Sequence, residues 1–206
     1  MTLVAVSKTV AVPRLKDAVA AGLTLLGENR VQEAESKAPA LPDARWHLIG
    51  PLQSNKARRA VELFEVIESV DSVDLARRLD RLAGEVGRAP LGVYLQVNVD
   101  RDEAKAGFQP DALEAELPAL IELANLRPLG LMTVGRLVGT AEEARPTFVR
   151  LRELSERLRA RVHGLGAGLS MGMTDDYEVA GEEGATGIRV GRALFGARDG
   201  GVAGPA

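Results

Sequence analysis

The chain has no cysteine in its 206 residues, which excludes disulfides and thiolate-bound metals. It has only two histidines, His47 and His163, and neither sits at a tight spacing from carboxylates, so no metal site is expected. Aromatic residues make up 3%, too few for a base-stacking surface. The net charge of −3 gives no basic footprint for nucleic acid. No apolar run approaches the length of a membrane-spanning helix. The apolar stretch at the amino terminus meets Lys8 too soon to serve as a signal peptide. These absences lead to the expectation of a cytoplasmic protein with neither a nucleic-acid nor a membrane partner.

What is present is ordinary for a globular protein: 46% hydrophobic and 27% charged residues, at a length that suits one domain with a substantial core. Arginine greatly outnumbers lysine. Each lysine is therefore of interest, because arginine cannot form a Schiff base. Lys8 is the most unusual of them. It ends "LVAVSK" (Leu3–Lys8), a run that reads as a buried strand, and ammonium groups are costly to desolvate. The plain structural alternative is a strand that reaches the surface at Lys8.

Strand-type and helix-type runs alternate along the whole chain. Strands are expected at Leu3–Lys8, Thr24–Asn29, Arg45–Gly50, Val66–Val70, Gly92–Val99, Pro128–Val134, Gly168–Met171 and Thr186–Gly191. Helices are expected at Pro13–Ala21, Val31–Lys37, Ser54–Phe64, Val73–Val86, Asp111–Ala124, Ala141–Arg161 and Asp175–Glu183. Eight apolar strands separated by helices predict a single α/β domain, a (β/α)8 TIM-type barrel. The alternative, a doubly wound open sheet, lacks a G-x-G-x-x-G after the first strand. The barrel is assigned to residues 1–196, and the Gly-rich residues 197–206 to a fraying tail. Because the chain starts at strand one and only seven helices are read, one slot in the outer ring is expected to be empty. Apolar surface should then show near Leu3–Val6 and the last strand.

In such barrels functional residues lie at the carboxyl ends of the strands. That rule brings Lys8, Glu28, Asn29, Gly50, Pro51, Gln53, Asn98, Met132, Ser170, Gly172, Arg189 and Gly191 toward one mouth. Phosphate sites commonly use the loops after strands seven and eight, here "SMGMTDD" (Ser170–Asp176) and "VGRALFG" (Val190–Gly196). A helix start near Thr174 offers backbone N–H groups to an anion; the same features also make a turn and an N-cap without a ligand. A desolvated lysine facing a phosphate cradle suggests a phosphorylated aldehyde held as an imine. Pyridoxal phosphate and a sugar phosphate both satisfy that description.

The motifs "LVAVSKT" (Leu3–Thr9), "GENRVQEA" (Gly27–Ala34), "WHLIGPLQSNK" (Trp46–Lys56), "QVNV" (Gln96–Val99), "KAGF" (Lys105–Phe108), "GLM" (Gly130–Met132), "LSMGMTDD" (Leu169–Asp176) and "IRVGRALFG" (Ile188–Gly196) together resemble the YggS-type pyridoxal phosphate homeostasis proteins. Those proteins have the barrel of the alanine racemase N-terminal domain without the racemase C-terminal β-domain. The resemblance implies a protein that buffers or delivers pyridoxal 5'-phosphate, with Lys8 as the imine lysine. It implies that Ser170 and the backbone of Gly191 and Arg192 cradle the phosphate, that Arg189 faces the pyridine nitrogen, and that Asn29, His47 and Met132 line the ring pocket. For these last three the residues also admit structural readings: a turn, a satisfied core histidine and packing. The implied partners are the cofactor itself and the apo-enzymes that use it, for a monomer or weak homodimer.

The sequence departs from the family in two places. Members usually carry a helical segment before the "AVSKT" strand, and here that strand follows Met1 almost directly. A small hydroxyl residue commonly follows the Arg-x-Gly, where this chain has Arg192. An amino-acid racemase of the alanine racemase type is the alternative function. It needs a second base on the opposite face of the substrate, and only Tyr94 and Tyr177 are available as tyrosines. A Schiff-base aldolase gains no support from the motifs. The protein is therefore read as a non-enzyme.

Overall fold

The structure is a computed structural model that describes residues 1–135 and 138–196. Eight parallel strands close into a barrel in chain order: β1 (Thr2–Val6), β2 (Leu25–Glu28), β3 (Arg45–Leu48), β4 (Val66–Val70), β5 (Leu91–Gln96), β6 (Leu126–Met132), β7 (Gly168–Met173) and β8 (Gly187–Val190). The helices between them are α1 (Val12–Ala20), α2 (Val31–Lys37), α3 (Ala57–Leu63), α4 (Val73–Glu85), α5 (Pro110–Ile121), α6 (Ala141–Arg161) and α7 (Tyr177–Glu182). A single turn, α8 (Arg192–Phe195), follows β8. No helix among the described residues is long and apolar enough to cross a membrane.

Local sequence explains the elements. Strands covered on both faces carry apolar runs rather than alternation, and all five residues of β4 are buried. The α4 helix starts where the Ser72 hydroxyl accepts the Leu75 N–H at 3.3 Å. From there Leu75, Ala76, Leu79, Leu82 and Ala83 form one buried stripe. Proline stands in the first turn of α1 and α5, where its missing N–H costs no hydrogen bond.

Three expectations are corrected. Lys8 lies two residues beyond β1, in a turn rather than in the strand. The ring has an eighth helix, α8, whose four residues are too few to show a period. Its Phe195 is buried and its Leu194 packs on the core. Of the apolar residues expected to be uncovered beside the first and last strands, Val4, Ala5, Ile188 and Val190 are buried and Leu3 and Val6 are half-buried. Residues 197–206, assigned to a tail, lie outside the described residues.

Register fixes what faces the barrel axis. Val4 pairs with Arg189, Gly27 with His47, His47 with Val66, Gln96 with Met132, and Met132 with Ser170. Neighbours in register share a face, and faces alternate along each strand. His47, Glu68, Tyr94, Met132, Ser170 and Arg189 therefore point inward. Ser7 and Glu28 belong to the opposite face, the one beneath the helices. Tyr94 sits low in the barrel, where glycines make room: a Cβ on Gly168 would stand 2.8 Å from the Tyr94 hydroxyl, and Gly130 has φ +152° with its Cβ direction blocked by Gly168 O at 1.9 Å.

Candidate functional site

The barrel interior holds one chain of polar contacts that crosses from β3 to β8. His47 Nδ1 lies 2.6 Å from Glu68 Oε1. Glu68 Oε2 accepts the Ser170 hydroxyl at 2.5 Å. Ser170 Oγ accepts Arg189 Nη1 at 2.6 Å, and Arg189 Nη2 donates to Thr133 O at 2.8 Å. All of these side chains are buried. Burial raises the Glu68 carboxyl, but the bond from His47 and the charges of His47 and Arg189 outweigh it and hold the group below its ordinary value. Glu68 is thus an anion that only accepts, which places a hydrogen on His47 Nδ1. Burial pushes the Arg189 guanidinium down from its ordinary value against the pull of Glu68 and Asp176; arginine stays charged all the same. The two Arg189 bonds use two of its five N–H donors.

The mouth lies above this network. Ser7 is buried and Lys8 is half-buried. The next residue, Thr9, has φ +65°, an outlier for a β-branched side chain that costs about 1–3 kcal/mol and persists only where its surroundings impose it. Across the seam between β1 and β8, a Cβ on Gly191 would come within 3.3 Å of Val6 Cβ. The end of β1 and the start of α8 are therefore close neighbours, and glycine permits it. The Gly191 N–H points at Thr174 Oγ1, 3.4 Å away. The N–H groups of Arg192 and Ala193 come before the first α8 bond, from Leu194 N to Gly191 O, and N–H groups in that position suit an anion.

A third cluster lies outside the barrel, between β1, β2 and α2. Lys37 Nζ donates to Ser7 O, Glu28 Oε1 and Glu33 Oε1, each at 2.7 Å. Ser7 Oγ also donates to Glu28 Oε1 at 2.8 Å, and Thr9 N–H donates to Glu33 Oε1 at 2.6 Å. Burial raises the Glu28 carboxyl in spite of Lys37 and Ser7. Burial also acts upward on Glu33, but the bonds from Lys37 and Thr9 bring it below its ordinary value.

The residues expected from the sequence fall into three places. His47, Met132, Ser170 and Arg189 meet inside the barrel. Gly191, followed by the Arg192 backbone, lies against Val6 at the end of β1, two residues before Lys8. Asn29 follows β2 and lines a cleft of about 820 Å³ with Arg30, Gln32, Pro51, Gln53 and Lys56, the residues after β2 and β3 at the same carboxyl end of the barrel. Ser170 Oγ donates to Glu68 and accepts from Arg189, and Thr174 adds a hydroxyl beside Gly191. The Arg192 side chain is exposed and paired with Asp175, leaving its backbone N–H as its feature at the lip. Asn98 folds onto its own loop, with Nδ2 on Asp102 O at 2.7 Å. The residues not singled out as site candidates are Glu68, Thr133, Thr174, Glu33 and Lys37. A carboxylate inside "VIESV" is the one signal that pointed to Glu68, since glutamate in a buried strand demands partners.

The groups present fit a phosphorylated aldehyde cofactor. The strand end that leads into Lys8 packs on a glycine lip with a hydroxyl and leading N–H groups, and a buried guanidinium lies on the neighbouring strand.

Comparison with known proteins agrees with the geometry. The family model described as "Alanine racemase, N-terminal domain" matches residues 1–199. The protein named "Pyridoxal phosphate homeostasis protein" from Pseudomonas aeruginosa is 46% identical over 199 residues, covering 96% of this chain and 84% of that protein. The solved structure of PipY from Synechococcus elongatus with PLP bound is 48% identical and superposes with a TM-score of 0.89, over 95% of this chain and 92% of that one. Alanine racemase from Clostridium difficile superposes with a TM-score of 0.78 at 15% identity. The match covers 97% of this chain but 53% of the racemase, so the likeness is one of fold.

Proposed function

The chain belongs to the pyridoxal phosphate homeostasis proteins, on the fold of the alanine racemase N-terminal domain, and from that premise we propose that it binds pyridoxal 5'-phosphate and buffers or delivers it in the cytoplasm. The observation that carries this reading is the close approach of Gly191 to Val6 across the β1–β8 seam, which sets the Thr174–Gly191 lip against the strand end that leads into Lys8, with Arg189 on β8 beside it. When bound, the cofactor supplies an aldehyde that an amine can hold reversibly and a ring that can withdraw electrons. The chain's own residues do the rest. The Lys8 amine is the attachment point. Thr174 Oγ1 and the N–H groups of Gly191, Arg192 and Ala193 would hold the phosphate, and Met132 and His47 would border the ring. Arg189, fixed by Ser170 and Thr133, would be the permanent cation facing the ring; a guanidinium gives up no proton, so a ring nitrogen against it would stay unprotonated and the ring would withdraw electrons weakly.

Carriage rather than turnover is favoured by where the tyrosines stand. Tyr94 is low in the barrel beside Gly168 and Thr186, far from the mouth where Lys8 lies. The Tyr177 hydroxyl is 3.4 Å from Glu178 on the outer helix α7. Neither supplies a second base opposite Lys8. Apo-enzymes that use the cofactor are the proposed receivers, and the chain acts as a monomer or weak homodimer.

The test is spectroscopic. Purified protein mixed with pyridoxal 5'-phosphate is expected to develop a yellow imine band that borohydride abolishes, with the reduced label on the Lys8 peptide. A label on Lys56 or Lys105 would reject the assignment.

A further inference from the structure

We infer that Glu33 and Lys37 of α2 are positioning residues for Lys8, clamping the backbone on either side of it so that its amine is preset toward the mouth. The inference rests on the reading of Lys8 as the attachment point.

The contacts bracket one residue. On the amino side, Ser7 O accepts both Lys37 Nζ at 2.7 Å and the Val10 N–H at 3.0 Å. On the carboxyl side, the Thr9 N–H donates to Glu33 Oε1 at 2.6 Å. Glu33 and Lys37 are themselves joined at 2.7 Å, one helical turn apart. The peptide groups flanking Lys8 are thus both held by a single ion pair on one short helix. Thr9 has φ +65°, which threonine does not hold unaided. The Glu33 carboxylate supplies a hold, because it fixes the Lys8–Thr9 peptide plane from which the chain turns into that φ. Lys37 cannot substitute for Lys8. Three acceptors, Ser7 O, Glu28 Oε1 and Glu33 Oε1, match the three donors of an ammonium, and the group is buried beneath α2. One lysine is spent on geometry, which leaves the other oriented for chemistry.

Orientation of a nucleophile acts on rate. Glu33 is part-exposed, with 25% of its side chain accessible, so its replacement leaves the core intact. Imine formation with added pyridoxal 5'-phosphate is followed by stopped-flow absorbance in the wild type, Glu33→Ala and Glu33→Gln. Hydrogen exchange at the Thr9 amide is measured in the same proteins without the cofactor. Glu33→Ala is expected to slow imine formation at Lys8 about tenfold and to speed Thr9 exchange by a similar factor. Glu33→Gln keeps an oxygen for the Thr9 N–H and is expected to stay within about twofold of wild type on both measures. Wild-type rate and wild-type Thr9 exchange in Glu33→Ala would overturn the clamp. Slow imine formation in both variants, with exchange raised throughout α2, would also overturn it, since loss of the helix would then be the cause. Absence of a Lys8 label in the wild type would reject the proposed function itself, a result distinct from either.

Discussion

Arg189 Nη1 donates to Ser170 Oγ at 2.6 Å, and this contact joins the last two strands of the barrel through their inward faces. It changes what each residue can do. The serine supports the guanidinium, and Thr174 offers a second hydroxyl near Gly191 at the lip. Replacing Ser170 by Ala is expected to cost about 1–2 kcal/mol in urea denaturation, because a buried donor on Arg189 and an acceptor on Glu68 each lose a partner. Thr174→Val should leave stability within about 0.5 kcal/mol while weakening retention of pyridoxal 5'-phosphate on dialysis. A Ser170→Ala protein of native stability that loses the cofactor would return the phosphate role to Ser170.

Glu68→Gln removes the anion between His47, Ser170 and Arg189. A buried guanidinium then faces no carboxylate, at a cost of about 3 kcal/mol at neutral pH. The pH dependence follows from the depressed Glu68 carboxyl. Its stabilisation is complete above the ordinary value of 4.5 and is lost as pH falls through the lower folded value. The stability gap between wild type and Glu68→Gln should therefore be constant above pH 4.5 and close progressively below it. Denaturant titrations from neutral to acid pH measure the gap. One that widens on acidification would contradict the arrangement.

Arg189→Gln should lower cofactor retention, since it removes a charged partner from a desolvated site. It should not produce exchange of the alanine α-proton in deuterium oxide, because Tyr94 lies low in the barrel and Tyr177 on the outer helix α7. Measurable exchange by this variant would mean that ring electronics alone keep the wild type silent.

Lys8→Ala should abolish the borohydride-trapped label while the melting curve stays within a few degrees of wild type, as a half-buried mouth residue carries little packing. Residual, reducible-label-free binding through the lip is the expected remainder, detected by equilibrium dialysis.

Gly130→Ala tests the lower barrel. The added methyl would meet Gly168 O at 1.9 Å, at a φ of +152° that alanine avoids. Backbone must move, and a loss of about 3 kcal/mol or more is expected in thermal unfolding.

Much of this architecture is legible in the chain. The bounds of α2 (Val31–Lys37), β4 (Val66–Val70) and α6 (Ala141–Arg161) follow from local signals alone, since periodicity and flanking turns are short-range. A lysine arriving straight after a buried apolar run, and a glycine after the last strand, are visible in the same way. Less visible is where β1 ends. "AVSK" continues the apolar pattern, but Ser7 turns its hydroxyl to Gly27 O at 3.1 Å and the chain leaves the sheet before Lys8. The α8 turn, four residues long, is too short for any pattern.

The partners of the buried polar groups belong to the tertiary structure. Glu68 and Ser170 are 102 residues apart in sequence, and Arg14 reaches Phe195 O from 181 residues away. Nothing local couples such positions; closure of the barrel does, by setting β8 against β1 in a register that aligns Arg189 with Val4. The sequence by itself determined the alternation of strands and helices, the family to which the chain belongs, and the lysine that meets the mouth, because these depend on residue type and short-range order. Only the folded barrel decided which serine supports arginine, which hydroxyl faces the lip, and which lysine is locked beneath α2, because those depend on inward and outward faces fixed by register between strands distant in the chain.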